Sequence, residues 1–213
     1  MVATEVVLRD GSLGVIWPLL PDDREGLAVL YETLDPRTQY RRFLSAVPRL
    51  TESMLHHLVD EVDGVDHVAL ILMIFDADWL DHPAGLARMV RYPDDWETAD
   101  LAVTIREEFW GRGAASALLQ ELLARRPRGV KRILTEVAAD NMASIAMLHR
   151  LGPTRIVRAN GPVLEVEVTL PPETVRHDDD SASADQVDGR GSGDDGEGLV
   201  EHSGPHRHGA ERE

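Results

Sequence analysis

An apolar, β-branched run, Leu101 to Ile105, breaks off at the glycine turn Trp110-Gly111-Arg112-Gly113-Ala114-Ala115, and a helix pattern starts at once. Ala115, Leu118, Leu119, Leu122 and Leu123 are spaced to form one apolar stripe on that helix. A strand that ends in a glycine turn at a helix N-terminus is a physical device for holding phosphate. The first N–H groups of the helix have no internal partners, and the helix dipole favours negative charge there. Gly111 and Gly113 let the backbone curl close to an anion, and Arg112 adds a cation. Glycine turns also precede many helices for backbone reasons alone, so the turn by itself leaves both readings open.

The continuation narrows the choice. A second β-like run, Arg132 to Ala138, leads into Asp140-Asn141 and a second amphipathic helix that ends at Leu151-Gly152. The segment from Asp100 to Gly152 resembles the GNAT superfamily of acyl-CoA-dependent N-acyltransferases, whose central motif is Gln/Arg-x-x-Gly-x-Gly/Ala. Trp110 to Ala115 occupies that motif, with Trp110 in place of the usual first residue. The resemblance extends over roughly residues 5–170. It implies an α/β fold with a mixed, mostly antiparallel central sheet flanked by helices.

The rest of the chain reads in the same order. Val6 to Leu8 and Leu13 to Pro18 pattern as a strand or hairpin, and Pro21-Asp22-Asp23 is a helix-start signal. Asp35-Pro36 restarts a short helix, and Thr51 caps another. Val65 to Phe75 is a long buried strand, Asp76 to Pro83 a turn-rich connection, and Leu86 to Tyr92 a third strand. Thr154 to Val157 and Val163 to Leu170 form a final pair around Asn160-Gly161-Pro162. The stretches Leu8-Arg-Asp-Gly, Tyr40-Arg41-Arg42-Phe43 and Val65 to Leu70 resemble a narrower bacterial branch, the GNAT domains of Pat-type protein lysine acetyltransferases.

Composition excludes several classes. The chain of 213 residues has no cysteine, hence no thiol nucleophile, disulfide framework or thiolate metal site. A net charge of −16 argues against a nucleic-acid surface, and an acidic domain suits a cationic amine. Half of that charge lies from Pro171 onward, where twelve Asp and Glu face four Arg. Residues 171–213, rich in Gly, Ser, Asp and His, are expected to form a disordered tail after a domain of residues 1–170. The tail histidines His202, His206 and His208 lack acidic or thiolate partners at fixed spacing, so no metal is assigned. No signal-peptide pattern or apolar run of about 20 residues is present, so the expected location is cytoplasmic, with no membrane partner. The oligomeric state is not legible.

Acyl transfer from a thioester to an amine requires a held donor, a neutral amine and a stabilised oxyanion. The resemblance assigns the diphosphate of acetyl-CoA to the backbone of Trp110, Gly111, Arg112, Gly113, Ala114, Ala115 and Ser116. It assigns the pantetheine arm to the strand Val103, Thr104 and Ile105 and to Asn141. The family base, ten residues before the first motif position, falls on Asp100, one methylene shorter than the glutamate of Pat-type enzymes and therefore expected to work through water. Asp100 also reads as a solvated residue closing the turn Asp94–Thr98, and Asn141 as a helix N-cap. Glu107 and Glu108 read as surface residues. Leu148 stands where many family members have a tyrosine acid, and Pro153 where they have an aromatic residue. His149 points to a different helical face.

The expected activity is transfer of acetyl from acetyl-CoA to a primary amine, with a lysine-bearing protein as the favoured acceptor. A small amine or a protein N-terminus is the second reading, and a non-catalytic acyl-CoA-binding module the third. A nucleotide-binding domain is disfavoured, because Gly-Lys-Ser/Thr and dinucleotide spacing are both missing.

Overall fold

The computed structural model describes residues 2–75 and 81–173. Eight strands form one sheet: β1 (Thr4–Val7), β2 (Leu13–Pro18), β3 (His67–Phe75), β4 (Asp81–Tyr92), β5 (Asp95–Ile105), β6 (Arg132–Ala138), β7 (Thr154–Asn160) and β8 (Val163–Thr169). Their order is β1-β2-β3-β4-β5-β6-β8-β7. Every pairing is antiparallel except β5 with β6. Parallel neighbours need a crossover, here α4 (Ala114–Ala124), and α5 (Met142–Leu151) follows β6.

On the other face lie α1 (Arg24–Glu32), α2 (Pro36–Phe43) and α3 (Glu52–Leu55), which runs on into a π-helical turn, His56–Asp60. The starts of these helices follow local chemistry. Asp35 accepts the N–H of Arg37 at 2.8 Å with Pro36 in the first turn, and Thr51 accepts the N–H of Met54 at 3.2 Å.

The uninterrupted apolar run of β3 is explained by cover on both faces. Val68, Leu70, Leu72 and Ile74 join Met89, Leu101, Leu118 and Leu122 in the core under α4 and α5. Ala69, Ile71 and Met73 join Leu27, Leu58, Val59 and Leu86 under the N-terminal helices.

Two strands are longer than their apolar runs predict. β4 begins at Asp81 rather than Leu86, and β5 begins at Asp95 rather than Leu101. The polar residues that hid the start of β5 are used in place. Asp95 accepts the Thr98 hydroxyl at 2.7 Å and the Arg132 guanidinium at 3.0 Å. Asp100 therefore lies in mid-strand, which corrects its reading as a residue that closes a turn. Of the connection read over Asp76 to Pro83, residues 81–83 belong to β4 and the rest lies outside the described residues, as does the tail past Glu173.

Gly152 ends α5 where the chain passes against β8. A Cβ there would stand 2.0 Å from the backbone oxygen of Thr169, which cannot give way as a flexible side chain would. Gly152→Ala is expected to cost about 3 kcal/mol or more, lowering the melting temperature by roughly 6–12 °C in thermal denaturation.

Candidate active site

β5 and β6 pair at only two register positions, Thr98 with Arg132 and Ala99 with Ile133, and then part. The narrow end is fastened. The Lys131 N–H donates to the Glu97 carbonyl at 2.8 Å, and the Arg132 guanidinium reaches Thr98 Oγ1 at 3.2 Å and Asp95 at 3.0 Å. Beyond it the Thr135 hydroxyl donates to the Leu101 carbonyl at 2.9 Å, a side chain bridging a gap that backbone bonds no longer span. The carbonyl of Leu101 thus faces the wedge, and the two-residue strand period gives Val103 the same direction.

The wedge is a cleft of about 480 Å³. Leu101, Ala102 and Val103 line it from β5, Thr135, Glu136 and Val137 from β6, and Asn141, the cap of α5, with Ser144, Met147 and Leu148 of that helix also line it. Arg41, Arg42, Phe43 and Leu44 from α2 and its end cover one side. Asp100 is the first residue past the last paired position and is half-buried in this cleft.

The structure therefore brings Asp100, Val103 and Asn141 together. Asn141 is both cleft wall and helix cap: its Oδ1 accepts the N–H of Ser144 at 3.3 Å, and its Nδ2 donates to Ser144 Oγ at 2.8 Å. Thr104 is not part of the cleft lining. It lines a separate apolar pocket with Leu27, Leu30 and Leu86, and Ile105 packs on the core under α4.

The turn of residues 110–116 lies outside the cleft lining, past the end of β5. Gly111 and Gly113 have φ of 76° and 94°, the left-handed region that favours glycine. The N-cap position of α4 is Gly113, which offers no side chain to cap the helix. The β1–β2 hairpin braces the turn, with the Arg9 N–H donating to the Arg112 carbonyl at 2.9 Å and Asp10 pairing with Arg112 at 3.4 Å. The Trp110 indole, half-exposed, donates to the Ile105 carbonyl at 2.9 Å. Glu108 is exposed and pairs with Arg106. Glu107 departs from its surface reading: it is half-buried, and its Oε1 is enclosed without a hydrogen-bond partner among the described residues.

Tyr92, expected only as the end of a strand, also lines the cleft and donates its hydroxyl to the Leu134 carbonyl at 3.1 Å. Burial first, then the charges of Asp100, Glu165 and Glu136, raises its pKa and keeps the phenol protonated. Nothing local marks it, because a β-hairpin bend brings it beside strands far along the chain. Leu148 is buried at 2 % exposure, and His149 is exposed.

Behind the cleft, His67 is buried on β3 with its pKa pulled down to about 4 from 6.5, by burial first and then by Arg88 and His57. The folded protein therefore resists its protonation. The contribution is full above about pH 6.5 and is lost as pH falls toward 4. Unfolding free energy is expected to drop by about 2–3 kcal/mol across that window in denaturant titrations, and His67→Asn should lack this component.

The acetyltransferase (GNAT) family model matches residues 30–152. Acetyltransferase Pat of Mycolicibacterium smegmatis is 33% identical over 168 residues, covering 78% of this chain and 49% of that protein. The GNAT domain of S. lividans PAT superposes with a TM-score of 0.68 at 28% identity, covering 79% of this chain and 97% of that one. A cAMP-binding acyltransferase from Mycobacterium smegmatis gives a TM-score of 0.54 at 30% identity, covering 80% of this chain and 48% of that one. The chain spans about half the length of these two mycobacterial relatives. With the matched segment spanning the wedge, the glycine turn and both flanking helices, the chain belongs to the acetyltransferase (GNAT) family.

Proposed function

We propose that residues 1–170 transfer an acetyl group from acetyl-CoA to the primary amine of a protein lysine, in the cytoplasm. The observation that carries this reading is the fork at Asp100. A sheet opened between two parallel strands leaves a polar backbone edge along Leu101 to Val103, and this edge runs toward an uncapped helix N-terminus with two left-handed glycines. An extended amide-bearing arm with a diphosphate at its end fits such an edge and such a turn. Val103, Asn141 and the backbone of residues 110–116 would hold it. Acyl-CoA, when bound, supplies an acyl carbonyl activated as a thioester.

The chain's own residues handle the amine. An alkyl ammonium with a pKa near 10 must lose a proton before it attacks. Asp100 is the carboxylate at the fork, and its short side chain favours removal of that proton through a water. Glu136 and Glu165 stand opposite each other on β6 and β8 and also line the cleft, so the acceptor side carries negative charge suited to a cation. The Pat-like stretches favour a lysine of a protein over a free amine.

Leu148 favours a second reading. No hydroxyl stands at the position where many family members protonate the leaving thiolate, as expected of a module that binds acyl-CoA without turning it over.

Calorimetric titration with acetyl-CoA should show micromolar binding that Gly113→Glu abolishes. That glycine has φ of 94°, which strains any other residue, a Cβ there would crowd Arg9 Cγ at 3.1 Å, and the glutamate carboxylate opposes phosphate. Asp100→Asn should reduce acetylation of a lysine peptide by roughly 10²–10⁴-fold with acetyl-CoA affinity unchanged. Binding without turnover in the unmodified chain would favour the module, and an absence of binding would overturn both readings.

A further inference from the structure

A chain of polar side chains runs from the surface to the underside of the cleft on the sheet face covered by α1, α2 and α3. Glu61 lies 2.5 Å from His57 Nδ1, and His57 Nε2 lies 2.9 Å from Arg88 Nη2. A guanidinium only donates, so His57 Nε2 accepts and the imidazole proton sits on Nδ1, where it is given to Glu61. Arg88 is 6 % exposed, and its Nε has no hydrogen-bond partner among the described residues. A buried cation held by a neutral imidazole needs an anion close by.

Register identifies that anion. Arg88 is opposite Ala102 and Val90 is opposite Asp100, so Arg88 and Asp100 are diagonal neighbours on one face of the β4–β5 ladder. Burial, then the charge of Arg42, draws the Arg88 pKa down to about 10, while Asp100 and Glu61 oppose the shift. Arg88 stays cationic at neutral pH.

We propose that Arg88, anchored through His57 to Glu61, is a positioning residue for Asp100: a fixed buried cation against which the carboxylate is set at the fork. Its catalytic meaning rests on the reading of Asp100 as the base. Arg42 brings a second cation to Asp100 from α2, and Tyr92, Glu136 and Glu165 face it from the cleft side. His67 packs on the far side of Arg88 and is neutral above about pH 4. The distant Glu61 thus bears on the cleft through two side chains, neither of which lines it.

The test is an NMR titration of the Asp100 carboxyl carbon in the full chain, which needs no acceptor. A carboxylate relieved of a nearby cation binds its proton more tightly. The Asp100 midpoint in Arg88→Gln should therefore lie above that of the wild type. Arg88→Lys, which keeps the charge, should stay near the wild type. His57→Leu removes the anchor at a side chain that is 53% exposed and so safe for folding. It lets the guanidinium turn toward solvent and should raise the midpoint by a smaller amount. Should Arg88→Gln fail to fold, His57→Leu decides. A purely structural role would lower the melting temperature and leave the midpoints coincident, and coincident midpoints overturn the assignment of Arg88. Undiminished turnover in Asp100→Asn is a different result: it overturns the base reading and, with it, the catalytic meaning of Arg88.

Discussion

The structure depends on how little of β5 and β6 pairs. Two register positions join these strands, and a salt-bridged arginine, a main-chain bond and one threonine hydroxyl fasten the join. Were the pairing to continue, the sheet would close and no cleft would exist. Because it stops at Ala99, a row of backbone polar groups opens in the middle of the sheet, where buried N–H and C=O groups normally find partners. The cost of that edge is offset by cores on both faces, which hold the strands apart as rigid bodies.

Charge is arranged around the same fork. Asp100 stands where the strands part, with Arg42 and Arg88 on one side and Tyr92, Glu136 and Glu165 on the other. Directly opposed glutamates on β6 and β8 disfavour the ladder they sit in, so this arrangement serves the cleft better than the sheet. Above it, Arg37 and Arg41 of α2 reach Asp140, just before the Asn141 cap, at 3.1 and 3.4 Å. Such exposed pairs add little stability, but they tie the covering helix to the opposite wall.

What could be read without coordinates was whatever is written in neighbouring residues. The glycine turn, the apolar stripe of α4, the caps at Asp35, Thr51 and Asn141 and the two-faced run of β3 are local patterns, and each proved to be the element expected. The start of β5 was not legible, because Asp95, Glu97 and Thr98 look like turn residues until Arg132 and Lys131 arrive from 34 or more residues away. The part Tyr92 plays in the cleft was hidden for the same reason: its hydroxyl's partner, the Leu134 carbonyl, comes from a strand distant in the chain. Thr104 shows the converse, a residue in the expected strand that lines the apolar pocket under α1 rather than the cleft.

By itself, then, the sequence determined the elements, their order and the family, since periodicity, capping and turn chemistry act over a few residues. Only the tertiary structure decided where β6 leaves β5. That point depends on side chains meeting across the sheet, and it places Asp100 at the narrow end of the cleft with Arg88 buried beneath it.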